Sequence, residues 1–211
     1  MTETASTVLT VVLATRNAHK VVELRRILAE LETSVELVGL DDVPPVPEVV
    51  ETGVTFAENA LLKARAVVAA TGRAAIAEDS GLCVDVLGGA PGVFSARWSG
   101  RHGDDGANLD LLLAQLGDVP DAHRGAHFAC TCALVLPNGA EHVVEGRLDG
   151  TLARQRRGAN GFGYDPIFVP EGDTRTTAEM APAEKDAISH RGRAFRALVP
   201  VLVRVLGPTT G

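Results

Sequence analysis

Two groups of carboxylates in the sequence have the composition of a site for a divalent cation. Glu48 and Glu51 precede a predicted helix, and the pair Glu78 and Asp79 lies between a short apolar run and a Ser-Gly dipeptide. Mg²⁺ takes oxygen ligands, usually one or two carboxylates together with phosphate oxygens and water. Either member of the adjacent pair could also orient or deprotonate a water molecule. Solvated loop carboxylates are the competing interpretation of the same spacing.

A polar segment separates the first predicted strand from the first predicted helix. Residues 15–20 read Thr-Arg-Asn-Ala-His-Lys and follow a β-branched apolar run over 7–14. The backbone N–H groups of a helix N-terminus, together with hydroxyl, amide and ammonium donors, can bind a phosphate. The segment is not a P-loop, because the glycine and lysine pattern of that motif is absent. A simple connecting loop with Asn17 as the helix cap is the alternative.

An aromatic ring between two glycines is a candidate platform for a flat ligand. In Gly161-Phe162-Gly163 the backbone can lie close to a ligand while the ring projects towards it, which suits stacking on a heterocycle. The ring could equally anchor the core at the entry of a strand. Lys185 and the run Ser189-His190-Arg191 add positive charge before the last helix, where solvated charges and a helix cap are the alternative.

The histidine and cysteine spacing near the middle of the chain suggests zinc, but the strand period argues against it. His123, His127, Cys130 and Cys132 are ligand types found at zinc sites. On a strand, however, Phe128 and the two cysteines share one face, while His127 points to the other. We therefore expect the cysteines to be buried thiols that pack as small hydrophobic residues.

Alternating strand and helix patterns must position these groups. Thr55 and Glu58 form a capping box before an alanine-rich helix, and Pro-Asn-Gly at 137–139 predicts a β-hairpin. This order indicates an α/β fold with a mixed sheet, and Pro200 is expected to kink the last helix. The patterns predict strands over 7–14, 35–39, 74–77, 82–86, 127–136, 141–148 and 164–169, and helices that begin near residues 18, 56, 105 and 190.

Composition limits the classes of protein that the chain can represent. Its 211 residues include 20 Lys and Arg and 27 Asp and Glu, which gives a net charge of −7 and makes a surface for nucleic-acid polymers improbable. We expect one domain over 1–211, with flexible ends at 1–6 and 208–211. No apolar run is long enough to span a membrane. Three cysteines and a short polar N-terminus predict reduced thiols and a cytoplasmic location.

Five segments together resemble the inosine/xanthosine triphosphate pyrophosphatase family, whose members hydrolyse non-standard purine nucleoside triphosphates. They occur in family order and span essentially the whole chain, so that together they make a specific match although each alone is weak. The segments are TRNAHK (15–20), ETGVTFAENALLKA (51–64), AEDSGLCVDVLGGAPGVFSARWSG (77–100), GFGYDPIF (161–168) and EKDAISHRGRA (184–194).

The resemblance implies a fold, an activity and an assembly. The expected fold is an elongated mixed β-sheet flanked by helices, with two lobes and an active-site cleft between them. The expected reaction is Mg²⁺-dependent hydrolysis of ITP, dITP and XTP to the monophosphate and pyrophosphate, which cleanses the nucleotide pool. The protein is expected to be a homodimer that binds a purine nucleoside triphosphate.

The resemblance also implies roles for individual residues. Asp79 corresponds to the general base and a metal ligand, Glu51 to the second metal carboxylate, and Glu78 is a further candidate ligand at a position where Asp is common. Arg16 stands where many relatives have Gly. The residues expected to bind the substrate are Thr15, Arg16, Asn17, Ala18, His19 and Lys20 along the triphosphate, and Ser80 at a part of the substrate that is left open. Phe162, Gly163, Tyr164 and Asp165 are expected to hold the base, Lys185 to contact a phosphate or the base, and His190 and Arg191 to bind the 6-keto edge.

The expected mechanism is attack of water on the α-phosphorus. A cation held by Glu51 and Asp79 would neutralise phosphate charge, Asp79 would activate the water, and Lys20 would stabilise the departing pyrophosphate. Donors aimed at O6 would reject the 6-amino group of ATP, whereas the exclusion of GTP is left open. The alternatives are a pyrophosphatase for other modified nucleotides and a nucleotide-binding regulator without turnover, and the presence of Asp79 and Lys20 favours an enzyme.

Overall fold

A six-stranded mixed β-sheet forms the centre of the protein in a computed structural model that describes residues 9–30 and 35–206. The strands lie side by side in the order β2-β1-β3-β4-β5-β6, parallel among the first three and antiparallel from β3 onwards. In chain order they are β1 (Leu9–Leu13), β2 (Val35–Val38), β3 (Ala75–Val84), β4 (Gly125–Val135), β5 (Glu141–Leu152) and β6 (Phe168–Pro170).

Helices cover both faces of the first half of this sheet. Alternate residues of β3 point to opposite faces, so Ile76 packs with residues of α1 and α5, while Ala75 and Ala77 pack with residues of α2. The α-helices are α1 (Ala18–Glu30), α2 (Phe56–Thr71), α3 (Asp105–Gln115), α4 (Pro182–Ile188) and α5 (His190–Leu206).

A separate apolar cluster builds the second lobe. Leu82 and Val84, at the end of β3, pack there with Leu109 and Leu112 of α3 and with Phe168 of β6. The strand β1 pairs with β3 only as far as Ile76, so the rest of β3 has no partner strand on that side. The two lobes therefore meet along the middle of β3, as the fold prediction requires.

Side-chain caps begin the first three α-helices, and those of α1 and α2 are the ones that the sequence suggested. The Asn17 side chain accepts a hydrogen bond from the Lys20 backbone N–H at the start of α1. Thr55 and Glu58 form the capping box of α2, which ends at Gly72 in the left-handed conformation, with a φ of 65°. Asp104 accepts from the Ala107 N–H at the start of α3.

The prediction that β3 is two strands with a turn between them is wrong. Residues 75–84 form one continuous strand, and the Ser-Gly dipeptide lies within it. A Cβ at Gly81 would lie 2.4 Å from the Gly92 carbonyl oxygen and 2.5 Å from Ser95 Oγ. Glycine is therefore present because another backbone segment approaches closely, and not because the chain turns. Leu82 and Val84 are buried as the expected alternation requires, but Cys83 between them is buried as well, so this end of the strand is covered on both faces.

Two further boundaries differ from the predictions. The expected strand over 164–169 is shorter, because local hydrogen bonds from the Ile167 and Phe168 N–H groups to the Tyr164 carbonyl form a turn, and β6 begins at Phe168. Lys185 belongs to a separate helix, α4, that was not predicted. Pro200 lies within α5, which is one helix. Residues 7–8, Leu31 and the predicted flexible ends 1–6 and 208–211 lie outside the described residues.

The cysteines confirm the interpretation as core thiols. Cys83, Cys130 and Cys132 are free and buried, and the latter two pack in the cluster beneath α5. Within residues 9–30 and 35–206, no three His, Cys, Asp or Glu side chains are grouped so that they could hold a metal ion. Nor does any helix in those ranges have the length and apolar character to traverse a bilayer.

Candidate active site

Two pockets contain most of the residues that the sequence singled out, and one of them lies against Asp79 and Ser80 of β3. The first, which we call the polar cleft, has a volume of about 380 Å³, and the second, the aromatic pocket, about 370 Å³. The aromatic pocket is lined by Val22, Glu23, Arg26, Phe162 and Lys185 among others. The polar cleft is lined chiefly by charged and polar side chains, among them Thr15, Arg16, Asn17, Lys20, Glu48, Glu51, Lys63, Asp79, Ser80 and Arg97.

The strand geometry separates the adjacent carboxylates Glu78 and Asp79. Both lie in the middle of β3, so their side chains leave opposite faces of the sheet. Asp79 points towards α2 and the polar cleft, and Glu78 points towards α1 and α5. The sequence prediction that adjacent carboxylates beside a turn share one cation depended on the turn, which does not exist.

Asp79 is held in a compact cluster with two residues of α2. The Lys63 ammonium lies 3.3 Å from Asp79 Oδ1 and 2.9 Å from Glu51 Oε1. The Asn59 side-chain amide donates to Asp79 Oδ2 at 3.1 Å. Arg97 approaches the other oxygen of Glu51 at 3.7 Å. One ammonium therefore links the two carboxylates that were expected to bind metal.

The protonation states in this cluster follow from burial and charge. Burial raises the pKa of Asp79, and the nearby Glu51 carboxylate adds to the rise, while Lys63 opposes it. Burial alone would raise the pKa of Glu51, but the positive charge of Lys63 outweighs burial, so the pKa of Glu51 is lowered. Burial would lower the pKa of Lys63, but the surrounding carboxylates, Asp79 first, raise it. Asp79 is thus the carboxylate of the cluster that is best suited to accept a proton.

Glu78 forms a second, more deeply buried cluster. Its side chain has no exposed surface, and the Lys20 ammonium makes an ion pair with Oε1 at 2.6 Å. The Arg191 Nε atom lies 3.8 Å from the same oxygen. Burial would raise the pKa of Glu78, but the charges of Lys20 and Arg191 outweigh burial and hold it well below its usual range. Glu78 is therefore an ionised anchor for the Lys20 ammonium.

Arg191 joins the two pockets. Its guanidinium is 2% exposed, makes an ion pair with Glu23, and donates a hydrogen bond to Ser80 Oγ at 3.0 Å. Glu23 also lies 3.4 Å from the Lys185 ammonium. A continuous set of charged side chains therefore extends from the aromatic pocket to Ser80 at the polar cleft.

The Phe162 ring lies beside two cations in the aromatic pocket. The Lys185 ammonium is 5.3 Å and the Arg191 guanidinium carbon 5.6 Å from the ring centroid. Buried Asp165 accepts hydrogen bonds from the Phe162 N–H at 2.9 Å and from the Lys185 ammonium at 2.7 Å. Asp165 thus positions both residues from beneath the pocket.

Other expected substrate contacts lie away from the pockets. The Tyr164 hydroxyl donates to the Ser95 carbonyl at 2.9 Å, and its ring packs in the second lobe. The Gly163 N–H donates to an Asp105 carboxylate oxygen at 3.0 Å. The structure therefore gives both residues a local structural role, and neither lines the polar cleft or the aromatic pocket.

His190 is buried behind Arg191. Its ring stacks on Phe128, with centroids 4.8 Å apart and planes 12° from parallel. Burial and the positive charges of Arg191 and Lys185 keep the pKa of His190 well below its usual value, so the ring is neutral. The histidine thus packs against the core, while the arginine beside it extends between the pockets.

The loop at 15–20 is brought to the polar cleft as expected, with one unforeseen contact. Thr15 accepts a hydrogen bond from the Asn17 N–H at 3.2 Å. The Arg16 guanidinium donates to the Val46 carbonyl at 2.7 Å and so connects this loop to the segment 44–47, which contains three prolines. Ala18 and His19 begin α1, but their side chains lie outside the described part of the structure.

The donor set around Lys63 fits a divalent cation of the hard class. Glu51 and Asp79 direct carboxylate oxygens at one positive group. Mg²⁺ is commonly bound by one or two carboxylates, with phosphate oxygens and water completing its shell. Glu78 is not brought to this place, since it lies on the other face with Lys20. Two carboxylates are therefore available for a metal instead of three.

Four charged or polar residues of the site were not singled out from the sequence. They are Glu23, Asn59, Lys63 and Arg97, and each of them contacts a residue that was named as a candidate from the sequence. Two signals could have found three of them. Asn59 and Lys63 are four residues apart on a helix whose start was correctly predicted, and Glu23 lies three residues after Lys20 on α1.

Comparisons with known proteins agree with this geometry. A model of the Ham1 family matches residues 11–201. The protein named dITP/XTP pyrophosphatase from Streptomyces avermitilis is 68% identical over 196 residues, which cover 93% of this chain and 98% of that protein.

Two solved structures have the same architecture. One is the nucleoside-triphosphatase, or dITP/XTP pyrophosphatase, of Mycobacterium abscessus, with a TM-score of 0.75 and 60% identity over 91% of this chain and 100% of that one. The other is a HAM1 protein from Coxiella burnetii, with a TM-score of 0.84 and 42% identity over 93% of this chain and 100% of that one.

Proposed function

This chain belongs to the Ham1 family, and we propose that it hydrolyses dITP, ITP and XTP to the nucleoside monophosphate and pyrophosphate. The observation that carries the proposal is the pairing of a cationic polar cleft with an aromatic pocket, joined through Arg191 and Ser80. A purine nucleoside triphosphate has a flat base and an anionic chain, so one molecule would occupy both pockets. Removal of such nucleotides would cleanse the cellular nucleotide pool.

The triphosphate would bind in the polar cleft. Lys20, Lys63 and Arg97 supply positive charge there, and the start of α1 lies at the same cleft, where the positive end of the helix dipole would favour an anion. Charge-assisted hydrogen bonds to phosphate oxygens are the strongest contacts that such groups make. Glu78 fixes the Lys20 ammonium at the inner end of the cleft before the substrate arrives.

Asp79 is the proposed general base for attack of water on the α-phosphorus. Its raised pKa makes it a better proton acceptor than an exposed aspartate, and Asn59 and Lys63 fix its two oxygens. The proton of the attacking water would pass to Asp79, the bond between the α- and β-phosphates would break, and the leaving pyrophosphate would be stabilised by Lys20.

We propose Mg²⁺ as the metal that Glu51 and Asp79 would hold. When bound, Mg²⁺ neutralises charge on the phosphate oxygens and orients them. Lys63, which links the two carboxylates, would then be free to contact a phosphate oxygen. In the metal-free site the surrounding carboxylates raise the pKa of Lys63, so that it is an ammonium ion before the metal binds.

The aromatic pocket supports selection of a 6-keto purine. The base would stack on Phe162, and O6 would accept hydrogen bonds from Lys185 or Arg191, which both lie beside the ring. The 6-amino group of ATP would present donors to these donors and leave buried polar groups unpaired, so ATP would be rejected strongly.

The remaining features of the proposal concern assembly and location. We propose that the chain forms a single domain, that two chains form a homodimer, and that the enzyme acts in the cytoplasm on free nucleotides. The resemblance of the five sequence segments supports the dimer, and the three free buried cysteines agree with a reducing compartment. Sedimentation of the purified protein tests the dimer, which a monomer at all concentrations would exclude.

Hydrolysis of ITP in ¹⁸O-labelled water tests the reaction and the point of attack. Attack on the α-phosphorus places the label in the monophosphate, whereas attack on the β-phosphorus places it in pyrophosphate. Mass spectrometry of the two products distinguishes these results. Labelled pyrophosphate, or products other than monophosphate and pyrophosphate, would overturn the mechanism.

A further inference from the structure

Cys130 is a buried thiol next to the site that the proposed chemistry does not use. It lies on β4 opposite Ser80 of β3 and is 1% exposed. Its sulfur is 3.5 Å from Glu78 Oε2, a distance that suits a hydrogen bond from a thiol to a carboxylate. Cys132, two residues along the same face, contacts the Cys130 sulfur at 3.9 Å.

The thiol of Cys130 is the donor in this contact. Burial raises the pKa of Cys130 well above its usual value, and the neighbouring Cys132 and the negative charge of Glu78 add to the rise. The sulfur therefore keeps its proton, and the Glu78 carboxylate lies against the Lys20 ammonium and the Arg191 guanidinium. A neutral S–H group beside an ionised carboxylate can only donate towards it.

The two oxygens of Glu78 thus have different partners. Oε1 faces the Lys20 ammonium at 2.6 Å, and Oε2 receives the hydrogen bond from Cys130. A carboxylate held at one oxygen cannot rotate without breaking that bond, so the contact at Oε2 also determines where Oε1 points. The position of the Lys20 ammonium follows from the position of Oε1.

We propose that Cys130 is a positioning residue, whose thiol orients Glu78 so that Glu78 holds the Lys20 ammonium in place for phosphate groups. Cys130 does not touch the substrate and acts through Glu78 and Lys20. The proposal rests on the proposed function only in that Lys20 binds the phosphates of the ligand.

Three variants separate hydrogen bonding from packing. Cys130→Val fills a similar volume without a donor, and Cys130→Ser keeps a donor in a smaller side chain. Cys132→Val is the matched control, because it alters a neighbouring buried thiol that has no hydrogen bond to Glu78 among those the structure describes. The measurements are the dissociation constant of inorganic triphosphate by calorimetry and kcat/KM for ITP, with the thermal midpoint of each variant to establish that it is folded.

We expect Cys130→Val to weaken triphosphate binding and to lower kcat/KM by about 3- to 10-fold, the range for loss of one ordinary hydrogen bond, because a thiol is a weak donor. Cys130→Ser should recover most of the triphosphate affinity and of kcat/KM for ITP. Cys132→Val should have the wild-type value of each. If Cys130→Val does not fold, Cys130→Ala removes the same donor.

Three results would overturn the proposal: wild-type affinity for triphosphate in Cys130→Val, equal losses in Cys130→Val and Cys132→Val, or no recovery in Cys130→Ser. Triphosphate binding is measured without turnover. Failure of the wild type to hydrolyse ITP would therefore contradict the proposed function and leave this test intact.

Discussion

Replacing Asp79 with asparagine tests the assignment of the general base with the least change in shape. In the wild type, Oδ2 accepts a hydrogen bond from Asn59 and Oδ1 faces the Lys63 ammonium. An asparagine whose oxygen stays on Asn59 must turn its NH₂ group towards Lys63, so that two donors face each other. The variant therefore loses the proton acceptor and also the partner that positions Lys63.

Both losses contribute to the expected magnitude. Removal of a general base typically costs about 100-fold to about 10,000-fold in rate. Because Asp79→Asn also misplaces Lys63, we expect a fall in kcat near the upper end, about 10,000-fold. Stability should change little, because relief of a buried charge that the fold disfavours opposes the loss of the Lys63 ion pair. The thermal midpoint should therefore stay close to that of the wild type.

The assay is pyrophosphate release from ITP in the presence of Mg²⁺, with thermal unfolding measured on the same preparations. Asp121→Asn is the matched control, because Asp121 is an exposed carboxylate paired with Arg154 at the surface, where such pairs contribute little. Its activity should equal that of the wild type. Pyrophosphate release by Asp79→Asn at the wild-type rate would refute the role assigned to Asp79.

Three other predictions address the base, the buried histidine and the metal. Phe162→Ala should raise KM for ITP about 5- to 150-fold through loss of stacking, while Phe162→Tyr should not, and an equal KM in both would contradict a stacking role. His190→Phe should remove part of the acid sensitivity of folding. Burial and the nearby cations lower the pKa of His190 in the folded state, so stability is lost as pH falls below the unfolded value of 6.5. From about pH 7.5 to about pH 5.5 the wild type should lose about 1.4 kcal/mol more in free energy of unfolding than His190→Phe, as measured by urea unfolding. An equal loss would mean that His190 is protonated in the fold. EDTA should abolish ITP hydrolysis and Mg²⁺ should restore it, and full activity in EDTA would exclude the metal site at Glu51 and Asp79.

The sequence was most informative where a local interaction determines the structure. The capping residues Asn17 and Thr55 could be named from the sequence because each makes its hydrogen bond within a few residues along the chain. The hairpin between β4 and β5 follows in the same way from Asn-Gly at 138–139.

Contacts between segments that are distant along the chain could not be predicted from local sequence patterns. Gly81 looks like a turn residue, but it is required because Gly92 and Ser95 pack against β3. That one misinterpretation divided β3 into two strands and placed Glu78 beside Asp79 at a common site. The continuous strand instead sends Glu78 to Lys20 and Asp79 to Lys63.

Whether a site residue could be identified from the sequence also depended on whether its contacts are local or lie between distant segments. Lys20 and Asp79 could be named from residue type and resemblance, since their segments match the family closely. Glu23 could not, because its role comes from Lys185 and Arg191, which are more than 160 positions away in the chain. Burial of that trio is a property of the folded protein and leaves no local pattern.

The central claim is that the enzyme converts non-standard purine triphosphates to monophosphate and pyrophosphate while sparing ATP. Steady-state rates of pyrophosphate release from ITP, dITP, XTP, GTP and ATP with Mg²⁺ test it most directly. The account predicts high kcat/KM for ITP, dITP and XTP, and a value for ATP that is lower by at least about 100-fold. The reason is that the 6-amino group of ATP cannot accept hydrogen bonds from Lys185 and Arg191, the donors beside the Phe162 ring. Equal hydrolysis of ATP and ITP, or release of phosphate in place of pyrophosphate, would contradict it.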